Sequence, residues 1–429
     1  MTSRLPARAD RVDEFISRKD TDVRGAALRR SEAGDRSRPG ERSDEIDGLR
    51  GVAALMVLVA HATLLAGGAG GHSLLSVNGL GIRMGVGVLL FFVLSGYLIS
   101  GPFLTALLSN SRLPLISAYG LRRAARIMPA YWVALAVLLV GSGALPGVPW
   151  WDVFLHTTLV QGWAPSGSSL YFVAWSLSWE VAFYIFIPLA ALALARRPGL
   201  CRLSRLAMLI GLLWLIAWAL PTIADLRLAQ GSTAATPPDW LLLLHNSPLG
   251  GLALFCPGML IVLINSPQAA TASGAWVVLR RLTQACISLP LALGLGAVGL
   301  LASSSADLVV RDVAANLLFS IAFGLLVAAV VRSNGGTRIL RWLAPVGVIS
   351  YGIYLWHWVV LLFIRDHAPE LASKGGASAV AANIALLLAI TLPLAIASWW
   401  LIERPAIHWA ANRARVLLRR RGGTSVGSA

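Results

Sequence analysis

The sequence predicts an all-α membrane protein: about ten transmembrane helices in one bundle, with both termini cytoplasmic. Three observations predict it. Hydrophobic residues make up 57% of the 429 and charged residues only 13%, where a soluble chain carries roughly 25% charged residues. So apolar a chain cannot cover itself with polar surface, and lipid must solvate much of it. Ten apolar runs, each near the ~20 residues that cross a bilayer, lie at roughly 49–66, 80–100, 128–145, 171–194, 206–223, 248–265, 285–302, 313–331, 347–364 and 380–402. Finally, with the N-terminal tail inside, the inside loops hold 13 arginines and the outside loops and margins only five basic residues, Arg83, Arg227, Arg311, Arg365 and Lys374. That is the asymmetry of the positive-inside rule.

The net charge of +16 does not point to nucleic acid. Residues 1–50 hold 12 Lys+Arg against 11 Asp+Glu, and the remaining excess sits in short loops. This is a pattern of membrane orientation rather than a phosphate-tracking face.

Taken in order, residues 1–45 are rich in Arg, Asp, Glu and Ser with almost no apolar period, and read as a disordered cytoplasmic tail. They are not expected to be a secretory signal, because the first apolar run starts only near Leu49 and no clear cleavage site follows. Residues 46–405 form the transmembrane domain and 406–429 a basic cytoplasmic tail.

The first run carries His61 and begins beside Arg50. Eleven steps are close to three helical turns, so both residues project from one face. Arg50 then stands at the cytoplasmic mouth, where it can also snorkel to headgroups, and His61 lies roughly 18 Å in. Ahead of the third run, Arg122, Arg123 and Arg126 precede Pro129, which suits the start of a span. Arg123 and Arg126 are i and i+3, hence neighbours able to form a phosphate fork, although membrane anchoring alone also places arginines here. The segment from Trp150 to Gln161 is apolar but short, and reads as interfacial. The fourth run contains Glu180, the only acidic residue well inside any run, about 14 Å from the outer edge. The ninth carries His357 in an aromatic stretch with Tyr354, Trp356 and Trp358, about 15 Å in.

Ionisable groups inside spans are costly and are functional candidates by default. His61, Glu180 and His357 fall near the midplane of a ~30 Å core, which suggests one polar site. Taken singly, each is also explained as a polar side chain satisfied by a neighbouring helix. Cys201, Cys256 and Cys286 are odd in number and widely spaced, so neither a disulfide framework nor a metal site is expected.

With these residues in view, the chain resembles the acyltransferase-3 family of integral-membrane O-acyltransferases over most of residues 45–405. The segments that carry the resemblance are EIDGLRGVAALMVLVAHA with Arg50 and His61, FFVLSGYLIS at Phe91–Ser100, LRRAARIMPAYW with Arg123 and Arg126, WSLSWEVAFY at Trp175–Tyr184, ISYGIYLWHW at Ile349–Trp358, and IERP at Ile402–Pro405. They stand in the family's order. Two positions depart from it: Val181, where a second acidic or polar residue is common, and Cys256–Pro257, where aliphatics are usual.

The resemblance implies an acyl-CoA co-substrate arriving from the cytoplasm, with Arg50, Arg123 and Arg126 binding the donor. It implies that His61 acts as general base on a hydroxyl of a carbohydrate-like acceptor, with a transient acyl-histidine as the lesser variant. Glu180 would orient or charge-stabilise His61, or bind the acceptor. His357, Tyr354 and Trp175 are expected to line the acceptor site or to pack. No cofactor or metal is needed, and the expected location is the inner (plasma) membrane. The main rival is a transporter or flippase of a polar or lipid-linked solute, which ten spans and midplane ionisable groups also suit, but neither an internal repeat nor paired broken spans stand out. A non-catalytic partner in surface-polysaccharide assembly is a third reading.

Overall fold

The computed structural model describes residues 43–67, 77–141, 147–163, 170–230, 248–305, 309–333 and 338–423. Among the described residues every regular element is helical and none is a strand. The principal helices are α1 (Asp44–Leu65), α2 (Gly87–Leu108), α3 (Ile116–Gly141), α4 (Trp150–Thr158), α5 (Trp175–Ala195), α6 (Leu203–Gln230), α7 (Pro248–Ile264), α8 (Ala275–Leu282), α9 (Ala285–Ala302), α10 (Ala315–Arg332), α11 (Arg338–Val348), α12 (Ser350–His367), α13 (Ala377–Ser398) and α14 (Arg404–Gly423).

Among the described residues eight helical stretches are long and apolar enough to cross a membrane, so the protein is a multi-pass membrane protein. The bent pair α11 and α12, meeting at 59°, makes a ninth if it is one span. The sixth expected run corresponds to α7, which at 17 residues falls just short of the others. The expected run at 285–302 coincides with α9. The short interfacial segment becomes α4.

Helix boundaries shift where polar residues can be satisfied inside the protein. Most of the expected tail lies outside the described residues, but its last positions begin α1. Ser43 caps that helix by accepting from the Ile46 amide, and Asp44, Glu45 and Asp47 complement its N-terminal dipole. Glu45 is tied to Arg341 of α11 at 2.5 Å. The third helix starts twelve residues before its expected run, so Arg122, Arg123 and Arg126 lie within α3 rather than ahead of it. Pro129 is carried inside that helix. At the other end, α13 and α14 form one continuous helix, Ala377–Arg419, through a π-helical turn at Trp399–Glu403. Its 43 residues span about 64 Å, twice the bilayer core. The stretch expected as a basic tail is therefore helical through Gly423, and α14 packs along α3.

Small residues let the helices that carry the polar groups approach backbone to backbone. A Cβ on Gly347 of α11 would sit 1.7 Å from the Asp47 carbonyl oxygen of α1, and one on Gly48 would sit 2.0 Å from the Leu340 oxygen. The α2–α7 contact is built the same way: a Cβ on Gly96 would meet the Phe255 oxygen at 2.1 Å, and one on Gly258 the Val93 oxygen at 2.1 Å. By contrast, only 17% of the apolar windows of α6 and α9 is buried, so these are outer, lipid-facing helices.

Candidate active site

The break before α12 sets its register. Ser350, Tyr354 and His357 then follow at i, i+4 and i+7, on one face, and all three are buried. Facing them, α1 presents Arg50 and His61. The two histidines meet: His357 Nε2 lies 3.0 Å from His61 Nδ1, with ring centroids 5.0 Å apart. His357 Nδ1 lies 3.0 Å from the Ile353 carbonyl one turn back. Trp358 packs edge-on against His61 at 5.0 Å, and Tyr354 lies 5.8 Å from His357.

Glu180 and Arg50 share a cavity that reaches Tyr354, the ring neighbour of His357. Its walls are Arg50 of α1; Val88, Phe91, Phe92, Leu94 and Ser95 of α2; Ser176, Leu177 and Glu180 of α5; and Ser350, Tyr351 and Tyr354 of α12. Tyr354 connects it to the histidines. Its hydroxyl donates to the Val173 carbonyl at 2.8 Å and accepts from Ser176 at 2.7 Å. Within the cavity Glu180 Oε1 accepts from Ser95 Oγ at 2.9 Å and from Tyr184 Oη at 2.8 Å. Among the described residues these are its hydrogen bonds, and the side-chain partner of His61 is His357, with the Val57 carbonyl as a backbone neighbour. The sequence reading has Glu180 orienting or charge-stabilising His61, or binding the acceptor; among the described residues it makes no hydrogen bond to His61, whose side-chain partner comes from α12, the helix that packs against that part of α1.

The arginines divide. Arg50 lines the cavity itself rather than standing only at its mouth. Arg123 lies between two tyrosine faces, 5.7 Å from Tyr119 and 5.6 Å from Tyr184. Arg126 is paired with Glu403 at 3.1 Å and packs on Tyr351 and Trp399. Arg123 Nε and Arg126 Nη2 are buried without a hydrogen-bond partner among the described residues. Two fixed guanidiniums with unused buried N–H groups suit an anion.

Trp175 is not among the residues that line this cavity; it packs against Phe92 at 6.0 Å and Trp179 at 4.8 Å. The residues not assigned a role from sequence are Ser95, Tyr184, Tyr351 and Glu403. All stand within the segments quoted above. Hydroxyl groups are common in apolar spans and gave no signal. Glu403 falls one residue beyond the last apolar run, and only the π turn directs it inward, where it is 1% exposed.

Comparison with known proteins identifies the family. A family model described as an acyltransferase domain matches residues 43–403. The chain is 27% identical to the putative membrane-bound transacylase BcsY of Komagataeibacter xylinus, across 90% of this chain and 88% of that protein. It is 26% identical to the exopolysaccharide production protein ExoZ of Rhizobium meliloti (strain 1021), across 77% and 90%. A shorter stretch, 34% of this chain and 39% of the relative, is 30% identical to the acyltransferase MdmB of Streptomyces mycarofaciens. No solved structure matches.

Proposed function

The chain belongs to the acyltransferase-3 family of membrane acyltransferases, and from that premise we propose that it moves an acetyl or other short acyl group from acyl-CoA to a hydroxyl of a carbohydrate-like acceptor. A surface polysaccharide, a glycolipid or a glycosylated metabolite all present such a hydroxyl. The name of the exopolysaccharide relative supports a sugar acceptor. The observation that carries the reading is one polar cavity within the helices: Arg50 and Glu180 line it and Tyr354 joins it to the His61–His357 pair.

The donor enters from the cytoplasm, and Arg123, Arg50 and the free edge of Arg126 hold its phosphates. Eleven helical steps of α1 separate Arg50 from His61, roughly 16 Å, a distance suited to a pantetheine arm. His61 Nε2 takes the proton of the acceptor hydroxyl. The oxygen adds to the thioester carbonyl carbon, the carbon–sulfur bond breaks, and the CoA thiolate takes the proton back from His61. Glu180 Oε2, which accepts no hydrogen bond among the described residues, receives a second acceptor hydroxyl. We place the protein in the inner (plasma) membrane with both termini cytoplasmic, crossing it ten times with α7 counted as a span and α11–α12 as one.

The experiment follows label from radioactive acetyl-CoA into lipid-linked and polymeric sugars by thin-layer chromatography, in membranes carrying the wild type or His61→Ala. The reading requires label transfer by the wild type and its loss in the variant at equal membrane level. Equal transfer by both would refute it.

A further inference from the structure

We propose that His357 is a positioning residue that locks His61 in one tautomer, the one with a bare Nε2. This rests on the assignment of His61 as general base, and it is argued from the hydrogen-bond chain through His357; the Val57 carbonyl one turn back on α1 is a second acceptor beside the His61 ring. The Ile353 carbonyl can only accept, so His357 Nδ1, 3.0 Å away, carries a hydrogen. His357 is 1% exposed, and among the described residues no carboxylate pairs with it, so the ring is held neutral. A neutral imidazole has one N–H, and its other nitrogen is an acceptor. His357 Nε2 is therefore a lone pair aimed at His61 Nδ1 at 3.0 Å, which must donate to it. The same rule leaves His61 Nε2 without hydrogen, on the side of the ring away from His357.

The arrangement gives the base a direction and a partner for its charged state. When His61 Nε2 takes the hydroxyl proton, the ring becomes an imidazolium, and its Nδ1–H bond to His357 becomes charge-assisted. His357 neither touches substrate nor gains a proton. It keeps the acceptor side of His61 facing away from itself, and Trp358, edge-on at 5.0 Å, confines the ring.

The test uses the full-length protein with 15N-labelled histidine in liposomes, with His61→Gln to assign the His61 signals. The ring-nitrogen shifts are expected to show His61 with a protonated Nδ1 and a bare Nε2. The opposite tautomer, or exchange between the two, overturns the proposal. In parallel, acetyl-CoA consumption is measured in two variants. His357→Leu removes the imidazole acceptor of His61, leaving only the Val57 carbonyl, and is expected to lose roughly ten- to a hundredfold in kcat, with the KM for acetyl-CoA unchanged. His357→Gln can accept from His61 with its oxygen and donate to Ile353 with its nitrogen, and should stay within a few-fold of wild type. Wild-type kcat in the Leu variant, or equal losses in both, overturns the proposal. If the Leu variant fails to accumulate, the Gln variant and the wild-type spectrum still decide. Wild-type membranes that consume no thioester would instead refute the acyl-transfer reading, while the tautomer spectrum still judges this one.

Discussion

Arg126 is tied to the scaffold and also proposed to meet the donor, and a double-mutant cycle separates the two roles. Its side chain is 14% exposed and that of Glu403 0%, so the pair is largely withdrawn from solvent. Removing one partner of such a pair costs about 3–5 kcal/mol, because an uncompensated charge stays buried, whereas replacing both with apolar groups is often near neutral. Arg126→Leu and Glu403→Leu should each lose stability on that scale. Glu403→Leu should be the worse, because Arg50 also lies in the field of Glu403 and two guanidiniums would then lack it. The double variant should recover most of the loss, which thermal unfolding in detergent reads directly. CoA binding by calorimetry adds the functional axis. A charge-assisted hydrogen bond contributes about 1.5–3 kcal/mol, so loss of Arg126 should weaken CoA roughly ten- to a hundredfold, and restored stability should not restore that affinity. A double variant that binds CoA like wild type would make Arg126 scaffold only. Singles no worse than the double would show the pair is uncoupled.

Three further outcomes are expected. Glu180→Gln should raise the KM for the acceptor by about tenfold with little change in kcat, since the carboxylate meets Ser95 and Tyr184 and not His61; a fall in kcat alone would return Glu180 to the base. Gly347→Ala must push α11 off α1, a strain of at least about 1–3 kcal/mol, and should lower both unfolding temperature and activity, while Gly294→Ala, with open space around it, should change neither. Truncation to residue 40 should leave insertion and turnover intact, whereas Ser43→Ala should cost about 1 kcal/mol of stability through the lost cap; activity lost on truncation at normal membrane level would give the tail a role.

Much of the fold was legible because the bilayer imposes a simple code. Long apolar runs separated by arginine-rich loops have few solutions besides a helical bundle, and α9 appears where its run stands. The rare charges in those runs drew attention to His61, Glu180 and His357 for the same reason. The limits were physical. The apolar run marks where lipid solvates a helix, not where the helix ends, so α1 starts earlier at its Ser43 cap, α3 takes in its arginines, and the last helix runs on through Gly423.

What the sequence by itself determined is the class of the protein and the identities of its titratable groups, since both follow from side-chain solvation along the chain. The tertiary structure alone decided which of those groups are partners. Helical period assigns each residue to a face but does not say which faces meet. That depends on where glycines let backbones close, as at Gly48 and Gly347, and on local irregularities such as the bend before α12 and the π turn that directs Glu403 to Arg126. Those contacts give His61 an imidazole neighbour and leave Glu180 among hydroxyls. The histidine contact joins residues 296 apart in sequence and the Ser95–Glu180 contact residues 85 apart, separations across which no local pattern carries information.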